Sequence, residues 1–293
     1  MAATQTQAAS KNGFSIGDAL VPVREIRHGG PPRDAIPAID APAFHAVDED
    51  TFLKDDDRVM GVVLDGVAKA YPVPILDRHE IVNDWSGTTP LVVTYCPLCG
   101  SGIVFESEGR NFGVSGLLYN SDVLLYDRKT ESLWSQMMGR AISGPLKGRE
   151  LKTVPAVHTT WAKWRSMHPD TSVMSHRTGY AMNYRAPAYL GYAQSDRTMF
   201  PVSHRNKRYH AKEWVLGVEL GPVAKAYPFQ ELSKTEGRVV DRIGSREVVV
   251  TFDAESATAW VATPSGEILN SVRAYWFAWF TFHPDTEIFV AED

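Results

Sequence analysis

The sequence predicts a mainly β protein of the α+β class, built as two tandem related β-rich units with a few short helices. Three observations lead there. Beyond residue 58 the apolar residues fall in short runs, at 59–64, 67–71, 91–95, 103–105 and 123–126, each closed by Gly, Pro, Asn or Asp, the punctuation of strands. Blocks of sequence then return. Val59-Met60-Gly61-Val62-Val63-Leu64 followed by Val67-Ala68-Lys69-Ala70-Tyr71-Pro72 recurs as Val215-Leu216-Gly217-Val218-Glu219-Leu220 followed by Val223-Ala224-Lys225-Ala226-Tyr227-Pro228. Finally, 44% hydrophobic and 22% charged residues over a chain of 293 are ordinary globular values that allow a sizeable core.

Taken in order, residues 1–57 read as an irregular lead-in, broken by Gly29-Gly30-Pro31-Pro32, Ile36-Pro37 and Ala41-Pro42. The first unit, 58–174, opens with two strands joined by the tight-turn pair Asp65-Gly66. Helices are expected over 74–80 and 159–168, the second ending at His168-Pro169-Asp170. A Tyr-rich linker with scattered arginines fills 175–212, and the second unit takes 213–293. There Val248-Val249-Val250-Thr251-Phe252 echoes Leu91-Val92-Val93-Thr94-Tyr95, and His283-Pro284-Asp285-Thr286 echoes His168-Pro169-Asp170-Thr171.

Charge and hydropathy exclude whole classes. A net charge of -5 without a sustained Lys/Arg run argues against nucleic acid. No apolar run reaches the roughly 18 residues that a membrane span needs. Residues 1–11 lack a basic segment followed by an apolar one, so a cytoplasmic protein is expected. In a reducing compartment two close cysteines are ligands or a redox couple rather than a staple.

The chemistry is expected at Thr94-Tyr95-Cys96-Pro97-Leu98-Cys99-Gly100-Ser101, which holds the only two cysteines at the end of an apolar strand. The recurring blocks separate scaffold from function. His168 and Tyr71 have twins in His283 and Tyr227 and read as structural. Cys96 aligns with Asp253, Cys99 has no counterpart, and His79 falls where the second unit has Thr235-Glu236. Residues 106–140 are an insertion that the second unit replaces with Thr263-Pro264-Ser265-Gly266, and their mixture of glycine, hydroxyls, carboxylate, amide and thioether suits pocket walls.

Several blocks in order carry a resemblance: Ala70-Tyr71-Pro72, His79-Glu80-Ile81-Val82-Asn83-Asp84, the cysteine motif, Phe112-Gly113-Val114-Ser115-Gly116-Leu117-Leu118-Tyr119-Asn120-Ser121, Tyr126-Asp127 and Ser132-Leu133-Trp134-Ser135-Gln136. Over most of its length the chain resembles the prokaryotic domain-of-unknown-function family 3179. The resemblance implies no activity. Relatives with signal or lipoprotein leaders imply an extracytoplasmic location should the chain be trimmed.

The residues themselves narrow the chemistry. The motif is followed by Gly100-Ser101-Gly102 and another strand, not by the helix of a thioredoxin-like couple, and there is no second cysteine pair to close a structural zinc site. A three-ligand metal site of His79, Cys96 and Cys99 is expected, with an open fourth position. Thiolates select copper or zinc, and copper is preferred, giving an oxidase or oxygenase acting with dioxygen on a small organic substrate. Tyr119, Asp122 and Gln136 would anchor that substrate and Trp134 would wall it. Tyr95 and Tyr126 would donate protons, and Asp84 would orient His79. A non-catalytic copper or zinc carrier or sensor, or a metal-free thiol-disulfide protein, are the alternatives.

Overall fold

The structure is a computed structural model and describes residues 9–292. The expectation of a cytoplasmic protein, drawn from residues 1–11, rests largely on residues 1–8, which lie outside the described residues.

The fold is mainly β with a few short helices: α1 (Val73–His79), α2 (Trp161–Met167), α3 (Phe229–Leu232) and α4 (Trp276–Phe282). Beside a small hairpin of Ser10–Lys11 and Phe14–Ser15 there are five sheets. The first runs Ala156–Thr160, Arg58–Leu64, Val67–Pro72, Ser172–Met174, Phe44–Ala46. The second, which ends in the cysteines, runs Thr153–Val154, Ser101–Glu106, Thr89–Cys96, Ile81–Ser86. The third runs Arg140–Ser143, Leu133–Ser135, Asp122–Asp127, Phe112–Tyr119, Ile26–His28. Val272–Tyr275, Trp214–Leu220, Val223–Pro228 and Glu287–Ile288 make the fourth, and Arg238–Ile243, Arg246–Asp253 and Thr258–Ala262 the fifth.

This arrangement resembles a five-bladed β-propeller and corrects the expectation of two tandem units. The reason lies in the insertion. Residues 106–140 are not a decoration on the first unit; most of them pair with one another as a sheet of their own. The stretch expected to be an irregular lead-in supplies edge strands to two sheets, Ile26–His28 against Phe112–Tyr119 and Phe44–Ala46 against Ser172–Met174.

The recurring blocks occupy sheets of like order. Arg58–Leu64 and Val67–Pro72 form an antiparallel pair, flanked by Ala156–Thr160 on one side and by the parallel strand Ser172–Met174 on the other. The fourth sheet has the same pattern, with Val272–Tyr275 and the parallel Glu287–Ile288 as flanks. Each helix that follows drops two tryptophans into the core, Trp161 and Trp164 from α2, Trp276 and Trp279 from α4, all at most 2% exposed. Helix α2 starts where the Thr160 side chain accepts the Lys163 N–H and stops at His168, whose ring lies 4.2 Å from that of Trp164. The apolar run expected as a strand extends to Thr89–Cys96, and from Leu91 to Cys96 every residue is buried, as a strand packed on both faces requires.

Candidate metal centre

Three elements converge on the site. Strand Thr89–Cys96 ends at Cys96, which pairs with Ser101 across a turn in which the Cys99 N–H donates to the Cys96 carbonyl at 3.1 Å. Pro97 has no N–H to extend the ladder, and Gly100 takes φ +61, so the chain reverses and both thiols face inward. From the third sheet comes Asp122. Asn120 and Ser121 both have positive φ, +54 and +66, the two-residue hairpin geometry that places Tyr119 opposite Asp122. That hairpin brings the Ser121 carbonyl to 3.4 Å from Cys99 Sγ and 3.9 Å from Cys96 Sγ. The ligand atoms of Cys96, Cys99 and Asp122 all lie within 4.8 Å of one another. Neither cysteine is bonded to the other, and neither is more than 1% exposed.

The carboxylate is half-satisfied. Its Oδ2 accepts the Met137 N–H at 3.1 Å, whereas its Oδ1 is buried without a partner, as is the hydroxyl of Ser121 beside it. Burial holds the Asp122 carboxyl up at about 7, against the donors that favour its ionised form. Burial likewise pushes both thiols up, Cys99 well above the usual thiol range. Glu80, the C-cap of α1, rises to about 8 through burial and then through its acidic neighbours Asp122 and Asp77, and Asp77 rises to about 6 through burial. With no cation in place burial favours the protonated form of each of these groups; a thiophilic ion held by Cys96, Cys99 and Asp122 would displace protons from them and give the idle oxygen a partner.

The lid over the thiols comes from residues that sequence reasoning had set aside. Tyr192, from the stretch expected to be a linker, and Tyr275, Phe277 and Ala278, from the second set of recurring blocks, pack with both cysteines and Leu118. The Tyr275 N–H donates to the Cys99 carbonyl at 2.8 Å. No composition signal marked these residues. The one available clue was aromatic density in the stretch itself.

His79 is not part of the group, which corrects the expected ligand set. Its Nδ1 donates to the Pro37 carbonyl at 2.6 Å, and its Nε2 is left to accept the Tyr184 hydroxyl at 2.7 Å, so both ring nitrogens are in use. Burial lowers its pKa, consistent with a neutral ring. Asp84 does not orient it: Asp84 takes Lys69 Nζ at 2.7 Å and the Tyr71 hydroxyl at 2.6 Å, and Asp241 does the same for Lys225 and Tyr227.

The remaining expected residues divide. Tyr95 directly precedes Cys96, is buried, and stacks on His158 at 6.3 Å. Tyr119 ends the hairpin strand opposite Asp122, with its ring edge-on to Phe282. Gln136 is a buried tie, its amide donating to Thr94 Oγ1 at 2.9 Å and its carbonyl accepting Ser101 Oγ at 2.8 Å, so it braces both strands that flank the cysteines. Tyr126 sits at the far end of its strand, donating to Asp34 at 2.5 Å under the Arg33 guanidinium. Trp134 is core, its indole N–H donating to Asp127 at 3.1 Å and its ring edge-on to Phe112. Tyr126 and Trp134 thus each spend their polar group on a carboxylate, Asp34 and Asp127 respectively. A cavity of about 520 Å³ includes Gln136, Met137 and Trp279 in its lining but neither cysteine.

Among the described residues no helix is long and apolar enough to cross a membrane. The family described as "Protein of unknown function (DUF3179)" matches residues 33–286. No curated protein and no solved structure is found to match the chain.

Proposed function

The chain belongs to the DUF3179 family, whose description assigns no activity, and from that premise we propose that Cys96, Cys99 and Asp122 hold one thiophilic metal ion, copper before zinc. On this reading the protein is an oxidoreductase acting with dioxygen on a small organic substrate. The observation that carries the ion is the Asp122 Oδ1, buried and without a donor beside two buried thiols. A buried acceptor left idle is costly, and a cation is the partner that such a donor set invites. Two thiolates and one carboxylate favour a soft ion, and three ligands fall short of the four that structural zinc takes.

Copper bound there would supply one-electron chemistry toward dioxygen. The chain's part is to exclude water with Tyr192, Tyr275 and Leu118 and to offer the ion a carboxylate in Asp122, whose carboxyl, held up at about 7 by burial in the metal-free protein, would give up its proton on binding. The carrier alternative is weaker, because thiols that hand an ion to a partner need exposure and these have almost none.

Elemental analysis after reconstitution tests the ligand set. The wild type is expected to retain one copper per chain, C96S, C99S and D122N to lose it, and H79A to keep it. If the wild type holds neither copper nor zinc and instead forms a Cys96–Cys99 disulfide, the thiol-disulfide reading replaces this one. Copper-loaded protein that consumes no dioxygen with any of a panel of small organic acids would retire the oxidoreductase half.

A further inference from the structure

Arg273, in strand Val272–Tyr275, is only 8% exposed, yet no carboxylate and no hydrogen-bond acceptor meets its guanidinium among the described residues, and its Nε is a buried atom without a partner. It lies instead over the Trp214 ring, 3.6 Å from the centroid, with Phe229 at 5.7 Å. An aromatic face offsets part of the lost hydration but does not replace a counter-charge.

The neighbours deepen the imbalance. Arg58 donates to the carbonyls of Ser256 at 2.5 Å and His158 at 2.7 Å, and its own Nε is idle. His158, 4% exposed, has an unpartnered Nδ1. His158 pairs with Met60 in the first sheet and Arg273 with Leu216 in the fourth, and those two partners hold the same place in the recurring blocks. After burial itself, the two guanidiniums are what drive His158 down to about 3, and Arg58 helps lower Arg273 to about 9. Two arginines and a histidine thus crowd one interior region, three of their nitrogens idle, with no acid among them.

The structure assigns this region to an anion from outside the chain: we propose that Arg273, with Arg58 behind it, binds the carboxylate of a small organic acid. The planar guanidinium fork matches a carboxylate in two parallel hydrogen bonds. The walls choose the class. Tyr95 stacks on His158, and Tyr275 packs on Trp214 at 4.2 Å, aromatic surroundings that suit an organic monoanion better than a strongly hydrated phosphate. The site borders the candidate metal centre, since Trp214 and Tyr275 also close on Gly100, at 2.5 and 3.2 Å from where a Cβ would stand. It does not depend on the ion.

Calorimetry and thermal melting on metal-free and copper-loaded protein, with acetate and benzoate titrated at constant ionic strength over chloride, provide the test. The wild type should show saturable binding and a midpoint that climbs with carboxylate in both forms. R273M should bind at least about tenfold more weakly while melting no lower than the wild type without ligand, because it removes an unpaired buried charge. R273K, which keeps the charge and loses the fork, should also bind more weakly. The proposal is overturned if the wild type responds to no carboxylate, if both variants bind as tightly as the wild type, or if inorganic phosphate stabilises where carboxylates do not. Should the chain bind no metal, the carboxylate titration of metal-free protein still decides between these outcomes by itself.

Discussion

A methyl group added at Gly61 would stand 2.2 Å from the Trp164 ring, and one added at Gly217 would stand 2.1 Å from the Trp279 ring. Both tryptophans are fully buried, so neither ring can swing aside. G61A and G217A should therefore each lose about 1–3 kcal/mol of stability through overpacking, read as a lowered urea midpoint; an unchanged midpoint in either would mean the ring seat is loose. Single residues differ in how far the sequence exposes their work. Cys96 and Cys99 declare themselves by chemistry and spacing. His79 invites assignment because it is missing from the second set of blocks, but its ring is spoken for by Pro37 and Tyr184, both outside those blocks. A residue found beside only one set of blocks can serve a contact made only there. Asp122 was visible only as a polar anchor for a substrate, since nothing local says that a two-residue turn will swing it onto thiols more than twenty positions earlier in the chain.

At the scale of elements, α1 does more than connect two strands. It ends at Glu80 with φ +58, a left-handed cap, and the backbone N–H of Glu80 closes on the Leu76 carbonyl at 2.8 Å. That turn commits Glu80 to the interior, where burial and the nearby Asp122 and Asp77 hold its carboxyl at about 8 against an ordinary 4.5. An acid raised in this way keeps its proton in the native state after the unfolded chain has released it. Native protein then binds more protons between those two values, so this group removes stability as pH rises through the window. E80Q, uncharged throughout, should gain on the wild type steadily from about pH 4.5 to about pH 8 in metal-free protein, measured by denaturant unfolding at each pH. A difference that stays flat with pH would show Glu80 to be ionised and paired in the native state. The helix itself was legible from its proline-led apolar run; the left-handed glutamate at its end was not, because glutamate carries no sequence signature for that conformation.

For the whole molecule, strands could be read from apolar runs, but the number of sheets could not, because periodicity says which residues face inward and nothing about which distant strand they pair with. The insertion became a sheet, and its hairpin became one wall of the cysteine site. The opposite wall belongs to the last third of the chain: Tyr275 is bonded to Cys99 through the backbone, and Arg58 and Lys163 reach across to Ser256 and Asp253. The thiols are therefore sealed by segments brought together only when all of the sheets are in place. That closure sets how a thiol reagent should behave toward reduced, metal-free protein. With both cysteines at most 1% exposed, labelling should proceed only through opening of the fold, and its rate should climb with denaturant alongside global unfolding. Labelling that is fast and independent of denaturant in native buffer would locate a local opening instead, at Tyr192 or its neighbours, the part of the lid that comes from outside the regular strands. In that case G61A, which loosens the first sheet and not the lid residues, should leave the labelling rate unchanged, whereas under global opening it should raise the logarithm of the rate in proportion to its lost stability.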